Sequence, residues 1–274
     1  MNTIEQQRRH FDNIAIDYHN ILYNETMDYL IYKMWVTLMK NISLPREQNI
    51  NLLDAMCGNS GTFDMFLKLG YTNINYNAFD YSPKMVAFAK AKYPNCRIWE
   101  QDITTFCEPD TYDIICIMGG PHHVHRYAQI IITNIFKSLK PGGYFFCGEP
   151  THNNALSNKI RDNVYLRNNM FDYETEKGFS LTEWNTLISD SNLAFEHQIY
   201  PGLLAYILLN LPFLFHRYFQ CFTKIKKVKL FSEYSIRKLI DIESCIWKTS
   251  IARFFSFSTF GCYKKHITAA SIAI

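Results

Sequence analysis

LLDAMCGNSG, at residues 52–61, joins an apolar stretch to a polar turn that contains glycine. This pattern predicts a short buried strand over Asn49–Asp54 that ends abruptly and leads into a helix. The helix is expected over Thr62–Leu69, with Gly70 just after it, because glycine readily adopts the left-handed conformation that ends many helices. The stretch therefore predicts a strand–turn–helix unit, from which parallel α/β proteins are built.

Strands and helices alternate on both sides of this unit. An amphipathic helix is expected over 26–41, and Ser82 with Pro83 predicts a helix start after the second strand. Further strands are predicted at Tyr76–Phe79, Arg97–Glu100, Tyr112–Met118, Tyr144–Gly148, Phe195–Tyr200 and Phe254–Tyr263. We therefore predict an α/β fold: a Rossmann-like, doubly wound, mostly parallel seven-stranded sheet with helices on both faces and a C-terminal cap insertion.

Length and composition narrow the class of protein. The chain has 274 residues, of which 48% are hydrophobic, and we divide it into a helical leader (1–45), a core (46–150) and the remaining strands with a cap or substrate region (151–274). The net charge of +3 is too small to indicate a nucleic-acid partner. The eight cysteines form no CxxC pair, and the N-terminus lacks the apolar core of a signal peptide, so we expect a cytoplasmic protein.

Three acidic residues stand at the ends of successive predicted strands. Asp54 ends the first strand, Asp80 the second and Asp102 the third. Ligands of open parallel sheets bind beyond the carboxyl ends of the strands, where a carboxylate can accept hydrogen bonds from both hydroxyls of a ribose. The set predicts a site for a nucleoside that carries amino groups.

These segments resemble the class I S-adenosylmethionine (SAM)-dependent methyltransferase family. The resemblance is carried by LLDAMCGNSG (52–61), FDYSPKMVAFAK (79–90), QDI (101–103), YDIICIMGGPHHV (112–124) and LKPGGYFFCGEP (139–150). HFDNIAIDYHNIL (10–22) resembles the frequent leader of this family, and implies a cofactor contact from Tyr18. Beyond Pro150 the resemblance is only general.

The resemblance implies that the amino-acid end of SAM faces Asp54, Ala55, Met56 and Gly58. Asp80 would hold the ribose, and Asp102 would meet the adenine amino group. The other implied contacts are Tyr81 and Met85 beside the adenine, Ile103 beside Asp102, and Met118 and Gly119 near the sulfonium. The family usually has glycine where this chain has Met56 and Ser60, so the first turn is expected to hold the cofactor differently or more weakly.

Methyl transfer requires positioning and in some cases a base, and the candidate bases are His122 and His123. The alternative is that His123 caps a helix or has only a packing role, and that His122 only lines the pocket. With His125 they form HHVH, but ligands this crowded suit tetrahedral zinc poorly, so we expect no metal. Candidate substrate contacts, each with a structural alternative, are Glu149, His152, Arg161 and Tyr165.

The apolar stretch at residues 203–215 is too short to span a bilayer. It fits a lid or substrate-pocket helix, a membrane-surface helix with Lys224–Lys229 as its basic flank, or an oligomer interface. As a pocket helix it would favour an acceptor that is partly apolar. These three alternatives remain open at this stage.

The sequence thus predicts a SAM-dependent methyltransferase that acts on an O, N or C atom of a small molecule. Two alternatives are a non-catalytic SAM-binding module, which the altered first turn favours, and a methyltransferase of a lipid-like acceptor at a membrane surface. An NAD-dependent oxidoreductase is disfavoured because the turn after the first strand lacks GxGxxG. The acceptor itself is not specified by any motif.

Overall fold

The computed structural model describes residues 3–22, 25–40, 42–58, 60–168, 170–214 and 233–266, with side chains to Asp17 in the first range and to Asn210 in the fifth. Its main sheet has seven strands in the order β3-β2-β1-β4-β5-β9-β8. They are β1 (Ile50–Ala55), β2 (Ile74–Asp80), β3 (Arg97–Glu100), β4 (Tyr112–Met118), β5 (Leu139–Glu149), β8 (Leu193–Ile199) and β9 (Thr259–Lys265). Only β9 runs antiparallel to its neighbours. The predicted fold class is confirmed.

Helices cover both faces of the sheet. They are α1 (Thr3–Leu22), α2 (Glu25–Met39), α3 (Thr62–Lys68), α4 (Pro83–Lys92), α5 (Ala128–Ser138), α6 (Ala155–Arg167), α7 (Leu181–Asp190), α8 (Leu204–Leu214), α9 (Glu233–Ser244) and α10 (Ser250–Phe255), with a 3-10 helix at Pro121–Tyr127. Ser82 caps α4 as predicted, because its side chain accepts a hydrogen bond from the Met85 backbone N–H. Thr151–His152 (β6) and Phe179–Ser180 (β7) form a small separate parallel pair.

Most predicted strand starts lie within about two residues of the observed ones, but two are wrong by five residues. The last strand begins at Thr259 rather than Phe254, because Thr249 caps α10 and this helix contains Phe254 and Phe255. The fifth strand begins at Leu139 rather than Tyr144. Leu139 already pairs with Tyr112, and residues 140–143 form an irregularity within β5, where Gly142 has a φ of +81°.

The core lies on the two faces of the sheet. On one face Trp35 of α2 is fully buried, with its ring 5.0 Å from that of Phe146 and 4.9 Å from that of Phe260. On the other face Trp184 of α7 is fully buried, and its indole N–H donates to the Tyr263 hydroxyl at 2.8 Å. The two tryptophans thus pack α2 and α7 against β5 and β9 from opposite faces of the sheet.

The region after β5 adds helices that cover the carboxyl edge of the sheet. The apolar stretch forms α8, and Glu243 of α9 accepts from the Ala205 backbone N–H at its start at 3.2 Å. Among the described residues, no helix combines the length and the apolar character needed to cross a bilayer. The basic flank at 224–229 lies outside the described residues, and the three-part division of the chain stays a prediction.

Candidate functional site

A cavity of about 650 Å³ lies beyond the carboxyl ends of the central strands, between the sheet and helices α1, α2, α6 and α8. Ligand pockets typically have volumes of about 300–1,000 Å³. The predicted site residues in its lining are Asp54, Met56, Gly58, Asp80, Tyr81, Met85, Asp102, Ile103, Met118, Gly119, His122, His123, Glu149, Arg161 and Tyr165. Residues from strand ends far apart in the sequence therefore meet around one space.

The three strand-end acids differ in what they already bind. Asp54 is buried, and its Oδ2 accepts from the Tyr76 hydroxyl at 2.9 Å. Asp80 accepts from the backbone N–H groups of Gly58 and Ser82, both at 2.9 Å, and so ties the first turn to the start of α4. Asp102 accepts from Thr104. The acids therefore shape the turns and also line the cavity.

The first turn keeps a left-handed backbone at positions occupied by bulkier side chains. Met56 has a φ of +54°, Gly58 of +50° and Ser60 of +55°. Only glycine adopts this conformation without strain, and other residues pay roughly 1–2 kcal/mol. The Met56 side chain also packs against Gly120, where an added Cβ would meet the Met56 sulfur at 2.6 Å. The turn therefore has the backbone conformation expected of a glycine-rich loop, although one of its left-handed positions carries a methionine side chain.

Burial changes the charge of two carboxyl groups at this site. It raises the pKa of Asp54 to about 7, against the opposing hydrogen bond from Tyr76. It likewise raises the pKa of Glu149 to about 7, although the backbone N–H groups of Gly120 and His122 donate to this carboxyl. Both carboxyls therefore hold a proton more tightly in the folded protein than in the unfolded chain.

Asp54 and Glu149 are expected to stabilise the ligand-free protein less at pH about 7 than at pH about 5, whereas His122, His125 and His152, whose pKa values are lowered by burial, act in the opposite direction. Because Asp54 and Glu149 have raised pKa values in the folded state, these two groups hold more protons there than in the unfolded chain in this window. For each carboxyl, the contribution to the free energy of unfolding falls by about 2 kcal/mol over this range. Urea unfolding at the two pH values measures the difference.

The matched variants for this measurement are Asp54→Asn, which cannot titrate, and Asp190→Asn, which alters an exposed carboxylate on α7. Asp54→Asn should lose the Asp54 contribution, so its change in free energy of unfolding between the two pH values should differ from that of the wild type by about 2 kcal/mol, whereas Asp190→Asn should change as the wild type does. The same pH-dependent change in the wild type and in folded Asp54→Asn would contradict the expectation.

His122 and Glu149 form a buried pair in the cavity wall. His122 Nδ1 lies 3.0 Å from Glu149 Oε2, and Glu149 Oε1 accepts from the Gly120 backbone N–H at 2.9 Å. Burial holds the pKa of His122 well below its ordinary value, so the ring is neutral near pH 7. A neutral imidazole that donates from Nδ1 keeps a lone pair on Nε2.

His123 has a different partner. Its Nδ1 lies 3.4 Å from Oε2 of the buried Glu176. Burial alone would lower the pKa of His123, but the Glu176 carboxylate outweighs it and raises that pKa. The two predicted bases thus have opposite pKa shifts, lowered for His122 and raised for His123.

The same residues determine whether the site could hold a metal ion. Ligand atoms of His122, His123 and Glu176 lie within 4.8 Å of one another, so the described residues include a group that can be compared with a metal site. However, each histidine Nδ1 already faces its own carboxylate. His125 of the HHVH string lies apart, paired with Glu183 at 3.0 Å. We therefore describe the group as two histidine–carboxylate pairs.

Two predicted site residues are not part of the cavity lining, and the side chain of a third is not described. Ala55 is fully buried in the core beneath the sheet end rather than in the cavity lining. His152 is also absent from the lining, because side chains alternate along an extended chain and Glu149, three residues earlier, takes the cavity side. The side chain of Tyr18 lies outside the described residues.

Part of the lining comes from segments that the motifs did not indicate. Helices α1 and α2 contribute Gln7, Arg8, Met27, Met34 and Trp35, and α8 contributes Tyr206, Ile207 and Asn210. The contribution of α8 agrees with the pocket-helix interpretation of the apolar stretch. Glu176 had no sequence signal, because its role depends on a contact with His123, far away in the chain.

Known proteins match this architecture and this motif order. The methyltransferase domain family matches residues 52–143, which span β1 to the start of β5 and contain all three strand-end acids. This chain carries a class I SAM-dependent methyltransferase domain. The family resemblance predicted from the motifs is confirmed.

Relatives of this methyltransferase include a demethylmenaquinone methyltransferase from Lactococcus lactis subsp. lactis (strain IL1403). It is 25% identical over 174 residues, which cover 61% of this chain and 67% of the relative. Phosphoethanolamine N-methyltransferase 2 of Haemonchus contortus has a similar fold, with a TM-score of 0.63 at 15% identity over 95% of this chain and 60% of that one. An O-methyltransferase from a Brevibacillus brevis multienzyme, in complex with S-adenosylhomocysteine, gives a TM-score of 0.56 at 16% identity over 88% and 77%.

Proposed function

We propose that this methyltransferase binds SAM in the described cavity and methylates an O, N or C atom of a small, partly apolar molecule. The observation that carries the proposal is the convergence of Asp54, Asp80 and Asp102 on one cavity that the His122–Glu149 pair also lines. Carboxylates for a nucleoside and a candidate base thus line the same space.

The residues present fit the cofactor. Asp80 still has free acceptor capacity for ribose hydroxyls, since each of its oxygens takes one backbone N–H and a carboxylate oxygen can accept more than one bond. Tyr81, Met85 and Ile103 supply apolar surface for a base, beside Asp102. Asp54, kept from water, would be charged once an ammonium group lies beside it. When bound there, SAM supplies the electrophilic methyl group.

The proposed work of the protein itself is positioning and proton transfer. Glu149 holds the His122 ring in one orientation and favours the tautomer with its proton on Nδ1. The proton that the acceptor loses would then pass to Nε2 of His122. Met118, Val124 and the side chains of α2 keep this part of the cavity largely apolar, which excludes water and aligns the reactants.

A lipid-like acceptor is the second candidate function. It is favoured by the apolar lining from α2 and α8 and by the Lactococcus relative, which is named for demethylmenaquinone. The non-catalytic alternative rests on the strained turn at Met56 and Ser60. These alternatives share the cofactor site and differ in the acceptor.

Isothermal calorimetry with SAM and with S-adenosylhomocysteine tests the cofactor proposal first. Binding of both ligands with micromolar dissociation constants is the expected result. Transfer from labelled SAM to soluble acceptors, compared with transfer to quinones in detergent micelles, then separates the two acceptor classes. A folded protein that binds neither ligand would contradict the proposal, and binding without transfer to any acceptor would support the non-catalytic alternative.

A further inference from the structure

Arg161 of α6 is a buried cation in the wall of the cavity. Its side chain belongs to a residue that is only 7% exposed, and it lies in the lining with Glu149 and Tyr165. Buried arginines are normally paired with a carboxylate, because an unpaired charge away from water is costly. Among the described residues, no carboxylate lies within ion-pair distance of this guanidinium.

The guanidinium is held in place by backbone groups. Nη2 donates to the carbonyl oxygen of Thr151 at 2.9 Å and also to that of Phe257. Gly178 leaves the space it occupies, since a Cβ at that position would lie 2.6 Å from Nη1. These contacts fix the orientation of the group without neutralising its charge.

One nitrogen of this group has no partner. Nη1 is buried and makes no hydrogen bond within the described structure. A buried donor without an acceptor costs about 1–3 kcal/mol, and more when it is charged. A fixed guanidinium that lines a cavity and keeps unsatisfied donor capacity is therefore suited to an anionic ligand group.

The surroundings indicate which ligand would bring that anion. The strand-end acids of the proposed cofactor site lie at β1, β2 and β3, whereas Arg161 lies beside the β5 end with the His122–Glu149 pair. Tyr165 and Tyr206 line the same part of the cavity, and the Tyr165 ring stacks on that of Phe171 at 4.4 Å. The anion would thus sit on the acceptor side, among aromatic surfaces.

We infer that Arg161 binds an acidic group, a carboxylate or a phosphate monoester, on the molecule that this enzyme methylates. That the bound molecule is the methyl acceptor rests on the proposed function, whereas the anion site itself follows from Arg161 and its contacts. It narrows the acceptor class to small acids with an apolar or aromatic body. Neutral lipids would leave the guanidinium unpaired.

The test compares benzoate and phenyl phosphate with benzamide, which has the same ring and no charge. Binding is measured by calorimetry or ligand-observed NMR, with and without saturating S-adenosylhomocysteine. The acids should bind the wild-type protein about tenfold or more tightly than benzamide, as expected for a charge-assisted hydrogen bond. A stronger response to one of the two acids distinguishes a carboxylate site from a phosphate site.

The variants are Arg161→Gln, Arg161→Lys and Arg167→Gln, the last being an exposed arginine on the same helix. Arg161→Gln should abolish the preference for acids, Arg161→Lys should retain part of it, and Arg167→Gln should match the wild type. If Arg161→Gln fails to fold, the wild-type comparison of acid with amide and the Arg161→Lys variant still decide the matter.

Acids that bind the wild type no better than benzamide does, or no better than they bind Arg161→Gln, would overturn the inference. Acids that compete with S-adenosylhomocysteine would also overturn it, because the guanidinium would then belong to the cofactor site. Failure of S-adenosylhomocysteine to bind would contradict the proposed function instead. The preference for acids is still measurable in that case, in the ligand-free protein.

Discussion

Replacing Glu149 with glutamine is expected to slow methyl transfer by about 10²–10⁴-fold, the range typical of losing general base catalysis. Glu149 accepts from the Gly120 N–H with Oε1 and faces the His122 N–H and Nδ1 with Oε2. A glutamine keeps the size but must turn an NH₂ group toward one of these donors. His122 would then lose its fixed orientation and its preferred tautomer.

His122→Ala should show a loss of similar size, and the double variant should be hardly slower than either single one, since the two residues act as a unit. His125→Ala is the matched control, because His125 pairs with Glu183 and does not line the cavity. Single-turnover rates with labelled SAM measure the effect, and calorimetry with S-adenosylhomocysteine should show nearly unchanged affinity. Full activity in folded Glu149→Gln would exclude the proposed base.

The alternation of strands and helices was predictable because it follows from local patterns. The bounds of β3 and β4 match their prediction, and Ser82 caps α4 by the same local rule that predicted it. The start of β9 was not predictable in the same way. The apolar pattern of β9 extends back to Phe254, but Thr249 caps a helix that includes Phe254 and Phe255.

The cofactor side of the site was predictable for a topological reason. Parallel strands bring their carboxyl ends to one edge, so acids that end successive strands must meet there. The acceptor side depends on contacts between distant segments. Glu176 reaches His123 across β5 and α6, and the missing partner of Arg161 Nη1 is a property of the packed structure alone.

Asp80→Ala is expected to raise the dissociation constant of S-adenosylhomocysteine roughly 10- to 100-fold, since a hydrogen bond to a charged group contributes about 1.5–3 kcal/mol. Asp80 is the proposed ribose acceptor, and it also holds the Gly58 and Ser82 backbone N–H groups at 2.9 Å. The substitution therefore removes a ligand contact and loosens the turn that carries the remaining contacts.

Asp80→Asn separates these two effects, because it keeps one carbonyl oxygen for a backbone donor and loses the charge. Its affinity should lie between those of wild type and Asp80→Ala, and the exposed Asp190→Ala on α7 should match the wild type. Calorimetry gives the affinities, and urea unfolding reports how much of the change comes from the turn. If folded Asp80→Ala bound S-adenosylhomocysteine as tightly as the wild type, the carboxylate would serve the turn alone, and the ribose would have to be held by another group of the cavity.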